Sequence, residues 1–306
     1  MAALPWAWIP ITIGAALAQT LRNAAQRHLT AELGALGATL VRFLYGMPFA
    51  AIWLLVAWLI SGAGPLPGIT PSFLWWTIVA SLSQIAGTAL LLRCMEERNF
   101  ALGVAYAKTE VIQVALFGLV LLGDRVTVIS VAAILVATTG VVLVSLPSGN
   151  RSLGAVLQGW TSRAALLGIG SGAAFGMAAV GYRGAALALE TPSIVLAAAY
   201  SLIWAQSLQT VLLGGYLLCV RRTIVVAVLQ AWRVSMLAGA MGALGSACWF
   251  TAMALEPVAN VRTLGLVELY FSYVVSRRVF REKLSGAELA GFVLLAVGLL
   301  GIVGQR

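Results

Sequence analysis

The acidic residues and several glycines of this sequence recur at a fixed spacing, which indicates an internal duplication. When the chain is shifted by 158 residues against itself, matched positions hold matched residue types without any gap. The matched pairs are Gly14 and Gly172, Glu32 and Glu190, Gly87 and Gly245, Met95 and Met253, Glu110 and Glu268, Asp124 and Glu282, and Gly140 and Gly298. Only 10 of the 306 residues are Asp or Glu, so three carboxylate pairs at one offset indicate a structural unit used twice.

The composition places this unit in a membrane. The chain is 61% hydrophobic and 9% charged, which leaves too little polar surface for a protein in water. A helix that spans the bilayer needs about 20 mostly apolar residues. Ten such segments are predicted, at 6–27, 37–61, 73–95, 100–122, 127–146, 164–187, 193–219, 225–254, 259–280 and 286–304. We therefore predict an all-α polytopic membrane protein with ten transmembrane helices, in five-helix repeats at 1–147 and 148–306.

The number of segments in each repeat also predicts topology. Five is odd, so the second repeat enters the membrane from the side opposite to the first. Such inverted repeats place a binding site near the bilayer midplane, between two halves that move against each other. Most Lys and Arg residues follow odd-numbered segments, so the positive-inside rule predicts that these loops are cytoplasmic and both termini are outside.

Charge and cysteine content exclude several partners. The formal net charge is +9, but the basic residues lie at segment ends, as in membrane proteins, so we predict no nucleic-acid partner. His28 is the single histidine and cannot build a metal cluster. Cys94, Cys219 and Cys248 form no CxxC pair, and we predict neither a metal nor a cofactor.

Two stretches of the chain resemble the end of an EamA repeat. In the first, Thr109–Val111 leads through an apolar run to Gly123-Asp124-Arg125 and a helix with Gly140; the second runs from Val267–Leu269 to Arg281-Glu282-Lys283 and Gly298. Arg42 is similar to an arginine that the family carries in its second helix. The resemblance implies a duplicated ten-helix transporter of the drug/metabolite transporter superfamily, in the bacterial cytoplasmic membrane, that exports metabolites. The family's proline after the glutamate is replaced here by Val111 and Leu269.

Glu110 and Glu268 are the first candidates for function, because ionisable groups inside a membrane are costly. They are equivalent under the duplication, so we expect them to face each other across a pseudo-two-fold axis. One interpretation is a pair that binds substrate or protons, since a low dielectric favours the neutral carboxyl. The other is a structural pair that caps a helix or neutralises Arg42, the predicted charge partner.

Residues that break the duplication are expected to set substrate specificity. Lys108 is matched by Leu266, and Arg22 by Val180. On an ideal helix Lys108 and Glu110 point about 200° apart, so they should not both face one cavity. Lys108 either faces substrate or forms a salt bridge with a neighbouring helix. Arg22 either binds a carboxylate or phosphate or extends to the membrane interface.

The full set of predicted substrate-binding residues adds polar and aromatic side chains to these. Gln19 and Arg22 should share a helix face, because they are three residues apart. For the glutamines the alternative is helix–helix hydrogen bonding, and for the aromatic residues it is packing. The set is Gln19, Arg22, Asn23, Gln84, Lys108, Gln113, Trp249 and Tyr270.

These features predict a secondary transporter that moves a small metabolite, an amino acid or organic acid, by alternating access. Buried cations outnumber buried carboxylates, which favours a substrate with a carboxylate. One alternative is proton-coupled efflux of drugs or cations. A polytopic membrane enzyme is the alternative of another class, although one Asp and one His offer little catalytic chemistry. The expected partners are the small-molecule substrate and the lipid bilayer, and a homodimer is left open.

Overall fold

A computed structural model describes residues 6–97, 104, 106–124, 127–144, 162–279 and 286–303, and all regular structure within them is helical. The helices are α1 (Trp8–Leu44), α2 (Met47–Ile60), α3 (Pro71–Glu97), α4 (Glu110–Leu122), α5 (Val128–Val144), α6 (Arg163–Leu187), α7 (Ile194–Val220), α8 (Arg222–Gln230), α9 (Trp232–Leu255), α10 (Val258–Leu264), α11 (Glu268–Arg278) and α12 (Gly286–Val303). A 3₁₀ turn, Gly265–Val267, joins α10 to α11. The predicted all-α class is confirmed for this part of the chain. The predicted boundary at 147/148 and the matched residue Glu282 lie outside the described residues.

Helix α1 turns sharply at Gly34, whose φ of 65° and ψ of 170° favour glycine. The side chain of Gln26 donates to the carbonyl of Ala38 at 2.7 Å. In a straight helix these residues would lie about 18 Å apart along the axis. The helix therefore has a first leg, residues 8–33, and a second leg, residues 35–44. The second leg leads into α2 through a turn, and Pro48 lies in the first turn of α2, where its missing N–H breaks no helical bond.

The surface and interior have the polarity of a membrane protein. Five helical stretches in the described residues are long and apolar enough to cross a bilayer: Trp8–Ile60, Pro71–Glu97, Arg163–Leu187, Ile194–Val220 and Trp232–Leu255. Large apolar side chains such as Val120 and Trp75 are exposed, whereas Arg22, Lys108 and Glu268 are buried. This arrangement is compatible with a membrane-embedded all-α protein.

The predicted segment 225–254 begins too early, because the chain forms two helices there and Trp232–Leu255 is the one long enough to span a membrane. Helix α8 is short and buries only Val228, while its neighbour Leu229 is exposed. The Tyr45 hydroxyl donates to the Val228 carbonyl at 3.1 Å and fixes α8 at the end of α1. An apolar run that includes a surface-lying amphipathic helix therefore resembled one long span in the sequence.

Packing between helices follows the duplication. Under the 158-residue shift α3 corresponds to α9, α4 to α11, α5 to α12, the first leg of α1 to α6, and its second leg with α2 to α7. The most extensive contacts are those of α3 with α6 and of α1 with α9. The shift exchanges these two pairs, so equivalent helices meet equivalent neighbours.

Gly172 and Gly14 match under the duplication but differ in how closely other residues approach them. A Cβ at Gly172 would lie 2.7 Å from the Ala107 carbonyl oxygen and 3.0 Å from the Glu110 nitrogen, whereas one at Gly14 meets nothing within 4 Å. We expect Gly172→Ala to destabilise the protein by about 1–3 kcal/mol, because the helices must separate. Gly14→Ala should be neutral or slightly stabilising, since Ala has the higher helix propensity. Thermal unfolding in detergent measures both, and equal effects would contradict this packing.

Candidate functional site

Glu110 and Glu268, the carboxylates matched by the duplication, are the first residues of α4 and α11. A tightened helical turn precedes each of them. Before Glu268 the backbone forms the 3₁₀ turn Gly265–Val267. Before Glu110 the bonds also span three residues, from the Thr109 nitrogen to the Tyr106 carbonyl at 3.3 Å. A short 3₁₀ stretch inside a helix often marks a functional hinge. Each carboxylate also gains from the partial positive charge of its helix N-terminus.

Glu268 is fully buried and has three donors around it. The first leg of α1 supplies two, the Gln19 side-chain amide at 2.6 Å and that of Asn23 at 3.0 Å. These residues are four apart and therefore share a helix face. The third donor is the ammonium of Lys108, which lies in the turn before Glu110, the equivalent turn of the first repeat. The lysine thus forms an ion pair that joins the two halves of the chain.

Glu110 faces a second cation. Arg262 donates to its Oε1 at 3.3 Å, and Lys108 lies 3.9 Å from the same oxygen. The Arg262 guanidinium also lies 4.6 Å from the centre of a Trp249 ring, within the range of a cation–π interaction. The indole N–H of Trp249 donates to Gln19 Oε1 at 2.9 Å, which closes the network on the donor of Glu268.

This network surrounds a small central cavity. Its volume of about 20 Å³ has room for one or two water molecules. Helices of both halves supply the walls. The lining includes Gln19, Arg42, Gln84, Lys108, Glu110, Phe175, Tyr182, Trp249, Phe250, Met253, Arg262 and Glu268.

The expectation that Lys108 and Glu110 cannot face one cavity is wrong, since both line it. The physical reason is the tightened turn at 106–111. In an ideal α-helix the angle of about 200° between residues two apart is about 160° when measured the shorter way round. With three residues per turn the angle falls to about 120°, so the two side chains diverge less. The long lysine chain then covers the remaining distance to Glu268.

Arg22, Asn23, Gln113 and Tyr270 were predicted to bind substrate but are not among the described residues that line the cavity. Arg22 instead donates to Asn23 Oδ1 at 3.2 and 2.7 Å. It therefore helps to position a side chain that donates to Glu268. Gln19 and Asn23, rather than Gln19 and Arg22, are the pair that meets the carboxylate.

Arg42 lines the cavity but does not pair with a carboxylate. Its NH1 donates to the Thr88 hydroxyl at 2.9 Å. The carboxylates are neutralised by Lys108 and Arg262 instead. The predicted charge partnership of Arg42 with the glutamates is therefore not found in the described residues.

Arg262 is the residue that the sequence interpretation missed. It lies near the beginning of the predicted segment 259–280, where charged residues at the membrane interface are common. In the structure it is buried and contacts Glu110 and Trp249. Its match under the duplication is Val104. The signal that singled out Lys108, a charge without a charged counterpart, applies equally to Arg262.

A separate ion pair lies outside the cavity lining. Arg183 contacts Asp124 through Nε at 3.2 Å and through NH2 at 3.3 Å. The same guanidinium donates to the carbonyls of Met253 and Glu256, at the end of α9. These contacts tie three helix ends together, which is a structural role.

Comparisons with known proteins show the fold and no more. No protein-family model matches the chain, and no curated protein matches it. Among solved structures 24 chains match. One of these, a crystal structure, superposes with a TM-score of 0.63 over 96% of this chain and 98% of its own, at 17% sequence identity. The chain therefore shares its fold, over 96% of its length, with another protein.

Proposed function

We propose that this chain is a secondary transporter that moves a small metabolite, an amino acid or organic acid, across a bacterial cytoplasmic membrane by alternating access. The observation that carries this proposal is the buried network at the centre. Lys108 and Glu110 from the first half meet Arg262 and Glu268 from the second half around one cavity. Such polar clusters are costly inside a membrane and mark a substrate pathway.

Ten spans in two inverted repeats are part of the proposal. The matched element bounds and the exchange of the α3–α6 and α1–α9 pairs support a duplication. Five spans in each unit make the repeats inverted, and substrate sites in such folds lie at the repeat interface, often at broken helices. The tightened turns before Glu110 and Glu268 are in that position. With the EamA resemblance, this favours a member of the drug/metabolite transporter superfamily.

The size of the cavity fits one step of an alternating-access cycle. A space for one or two waters cannot hold a metabolite, so the helices around it must separate to admit one. The hinge-like turns before α4 and α11 offer places for this movement.

The direct test begins with purified protein. A thermal-shift screen of amino acids, organic acids and quaternary amines selects ligands, and uptake of the labelled ligand into proteoliposomes measures transport. Lys108→Ala should abolish uptake. Because this variant leaves Glu268 with one cation fewer, the pair Lys108→Met with Glu268→Gln provides a charge-balanced second variant. Uptake that survives in both would overturn the site assignment, and the absence of any ligand or uptake would overturn the function.

The same assay distinguishes proton-coupled efflux of cations. Both carboxylates already have cationic partners, so a cationic drug would have to displace Lys108 or Arg262. Glu110→Gln should leave the pH profile of uptake unchanged if the carboxylate is structural. Binding of quaternary amines together with a changed pH profile would favour the efflux alternative.

The orientation can be tested by cysteine labelling. In a background without the native cysteines, Ser148→Cys should react with an impermeant reagent only from the cytoplasm. A cysteine added at the C-terminus should react only from outside, because the basic loops lie inside. The opposite pattern would reverse the topology and leave the fold unaffected.

A further inference from the structure

One positive charge in the central cavity has no carboxylate opposite it. Among the described residues, the cavity is lined by three cations, Arg42, Lys108 and Arg262, and by two carboxylates. The ion pairs of Lys108 with Glu268 and of Arg262 with Glu110 use both carboxylates. Within the described part of the chain Arg42 forms only the bond to the Thr88 hydroxyl at 2.9 Å, besides a contact with the neighbouring Phe43 ring. A hydroxyl orients a guanidinium but does not neutralise it.

A second arginine increases the excess. Arg22 is 1% exposed, and its NH1 has no hydrogen-bond partner. A Cβ at Gly242 would lie 3.3 Å from the stems of both Arg22 and Arg42, so the two side chains pack against the same point of α9. The amide oxygen of Asn23 accepts from Arg22 but carries no charge. Two arginine side chains therefore lie close enough in the protein interior for their positive charges to repel each other.

An unbalanced buried cation is unfavourable. Arginine stays protonated in proteins, so it cannot lose its charge on burial. Desolvation of each ion costs several kcal/mol unless an opposite charge compensates for it. An anion at Arg42 would supply that charge. The guanidinium fork suits a carboxylate or another oxyanion, because it donates two parallel hydrogen bonds.

We infer that Arg42, oriented by Thr88, forms the anion-binding end of the cavity and that the transported molecule carries a net negative charge. This inference rests on the proposed function and narrows its substrate from amino acids and organic acids to net anions. The apolar body of the substrate would lie against Phe175, Phe250 and Met253, which also line the cavity.

The carboxylates give the reason why zwitterions and cations are excluded. An amino group needs a free carboxylate as its partner. Glu268 already has Gln19, Asn23 and Lys108 as donors, and Glu110 has Arg262. A substrate ammonium would have to displace a cation that belongs to the protein, and would also be repelled by Arg42.

Ligands of equal shape and different charge test the inference. Thermal unfolding of the purified protein is followed with butyrate, butyramide, butylammonium and 2-aminobutyrate, and with benzoate, benzamide and benzylammonium, at millimolar concentration and equal ionic strength. We expect a carboxylate to raise the Tm, with an apparent Kd at least about tenfold lower than that of its amide, since bonds to charged groups are the stronger ones. The ammonium compounds and 2-aminobutyrate should have no effect.

Three variants locate the response. Arg42→Gln should abolish the carboxylate shift while the ligand-free protein keeps a Tm at least as high as before, because an unpaired buried charge is removed. Arg42→Lys should keep part of the shift. Arg93→Gln is the control that loses a positive charge at an exposed position, where Arg93 pairs with Glu96 at 3.8 Å, and it should respond as the unmodified protein does.

Each outcome decides. A shift from the ammonium compounds or from 2-aminobutyrate as large as that from the carboxylates overturns the net-anion assignment and leaves the transport proposal intact. An unchanged shift in Arg42→Gln, or a large loss of ligand-free stability in that variant, assigns Arg42 a structural role. A protein that responds to no carboxylate in either series contradicts the anion site, whereas the wider ligand screen and the uptake assay decide the proposed function separately.

Discussion

Replacement of Glu268 by Gln should destabilise the folded protein by about 3–5 kcal/mol, the range for breaking one side of a buried ion pair. Glu268 is fully buried and pairs with Lys108 while it accepts bonds from Gln19 and Asn23. A glutamine keeps the size of the side chain but cannot neutralise the ammonium. Of the carboxylates in the part of the chain that the structure describes, Lys108 would then contact Glu110 alone, at 3.9 Å. Thermal or denaturant unfolding in detergent measures the loss.

The matched variant Glu110→Gln is the internal control, because the duplication alone predicts equal effects. We expect a smaller loss there. Arg262 would keep its position over the Trp249 ring, and Lys108 would keep Glu268. Combining Glu268→Gln with Lys108→Met should recover much of the stability, which a double-mutant cycle reports as a coupling energy between the two sites. Equal losses at both glutamates, or additive effects in the cycle, would contradict the asymmetric network.

Much of the fold could be predicted from sequence because the duplication and the bilayer both constrain it. The match of Glu110 with Glu268 coincides with the first residues of α4 and α11, and the next helices also begin 158 residues apart, at Val128 and Gly286. Hydropathy does not report backbone geometry, however. It left a break at 28–36 that contains Gly34 but did not predict the sharp turn there, and it merged the amphipathic helix α8 with α9.

The candidate site was also predictable only in part. Both carboxylates have carboxylate counterparts, whereas the three cations of the cavity are matched by Tyr200 for Arg42, Leu266 for Lys108 and Val104 for Arg262. The duplication therefore identifies the shared carboxylates, and its violations identify the cations. Which cation meets which carboxylate was not predictable, because it depends on the tightened turn at 106–111 and on the approach of helices distant in sequence. Arg42 thus bonds to Thr88 and not to a glutamate.

Uptake of a labelled carboxylate should be at least about tenfold faster into vesicles preloaded with the unlabelled compound than into empty ones. In the proposed transport cycle an empty carrier must pass through a closed state in which Arg42 pairs with no carboxylate of the described residues and Arg22 adds to the positive charge. An anion-loaded carrier passes through the same state with that charge compensated. The closed state of the empty carrier is therefore higher in free energy than that of the loaded carrier by several kcal/mol per unpaired ion. Each 1.4 kcal/mol in the barrier changes a rate about tenfold. The return of the empty carrier should therefore limit net uptake, and the protein should exchange anion for anion.

Arg42→Gln should reduce the ratio between preloaded and empty vesicles, because it removes the charge that slows the empty carrier. Arg93→Gln, which loses an exposed positive charge, should keep the ratio. Equal uptake into preloaded and empty vesicles by the unmodified protein would show that the empty carrier returns freely, and so that the excess charge is compensated in the closed state. Uptake driven into empty vesicles by a pH gradient alone would instead assign the compensating role to protons. Anion exchange thus follows from the same charge excess that favours an anionic substrate, and the vesicle assay tests it separately from ligand binding.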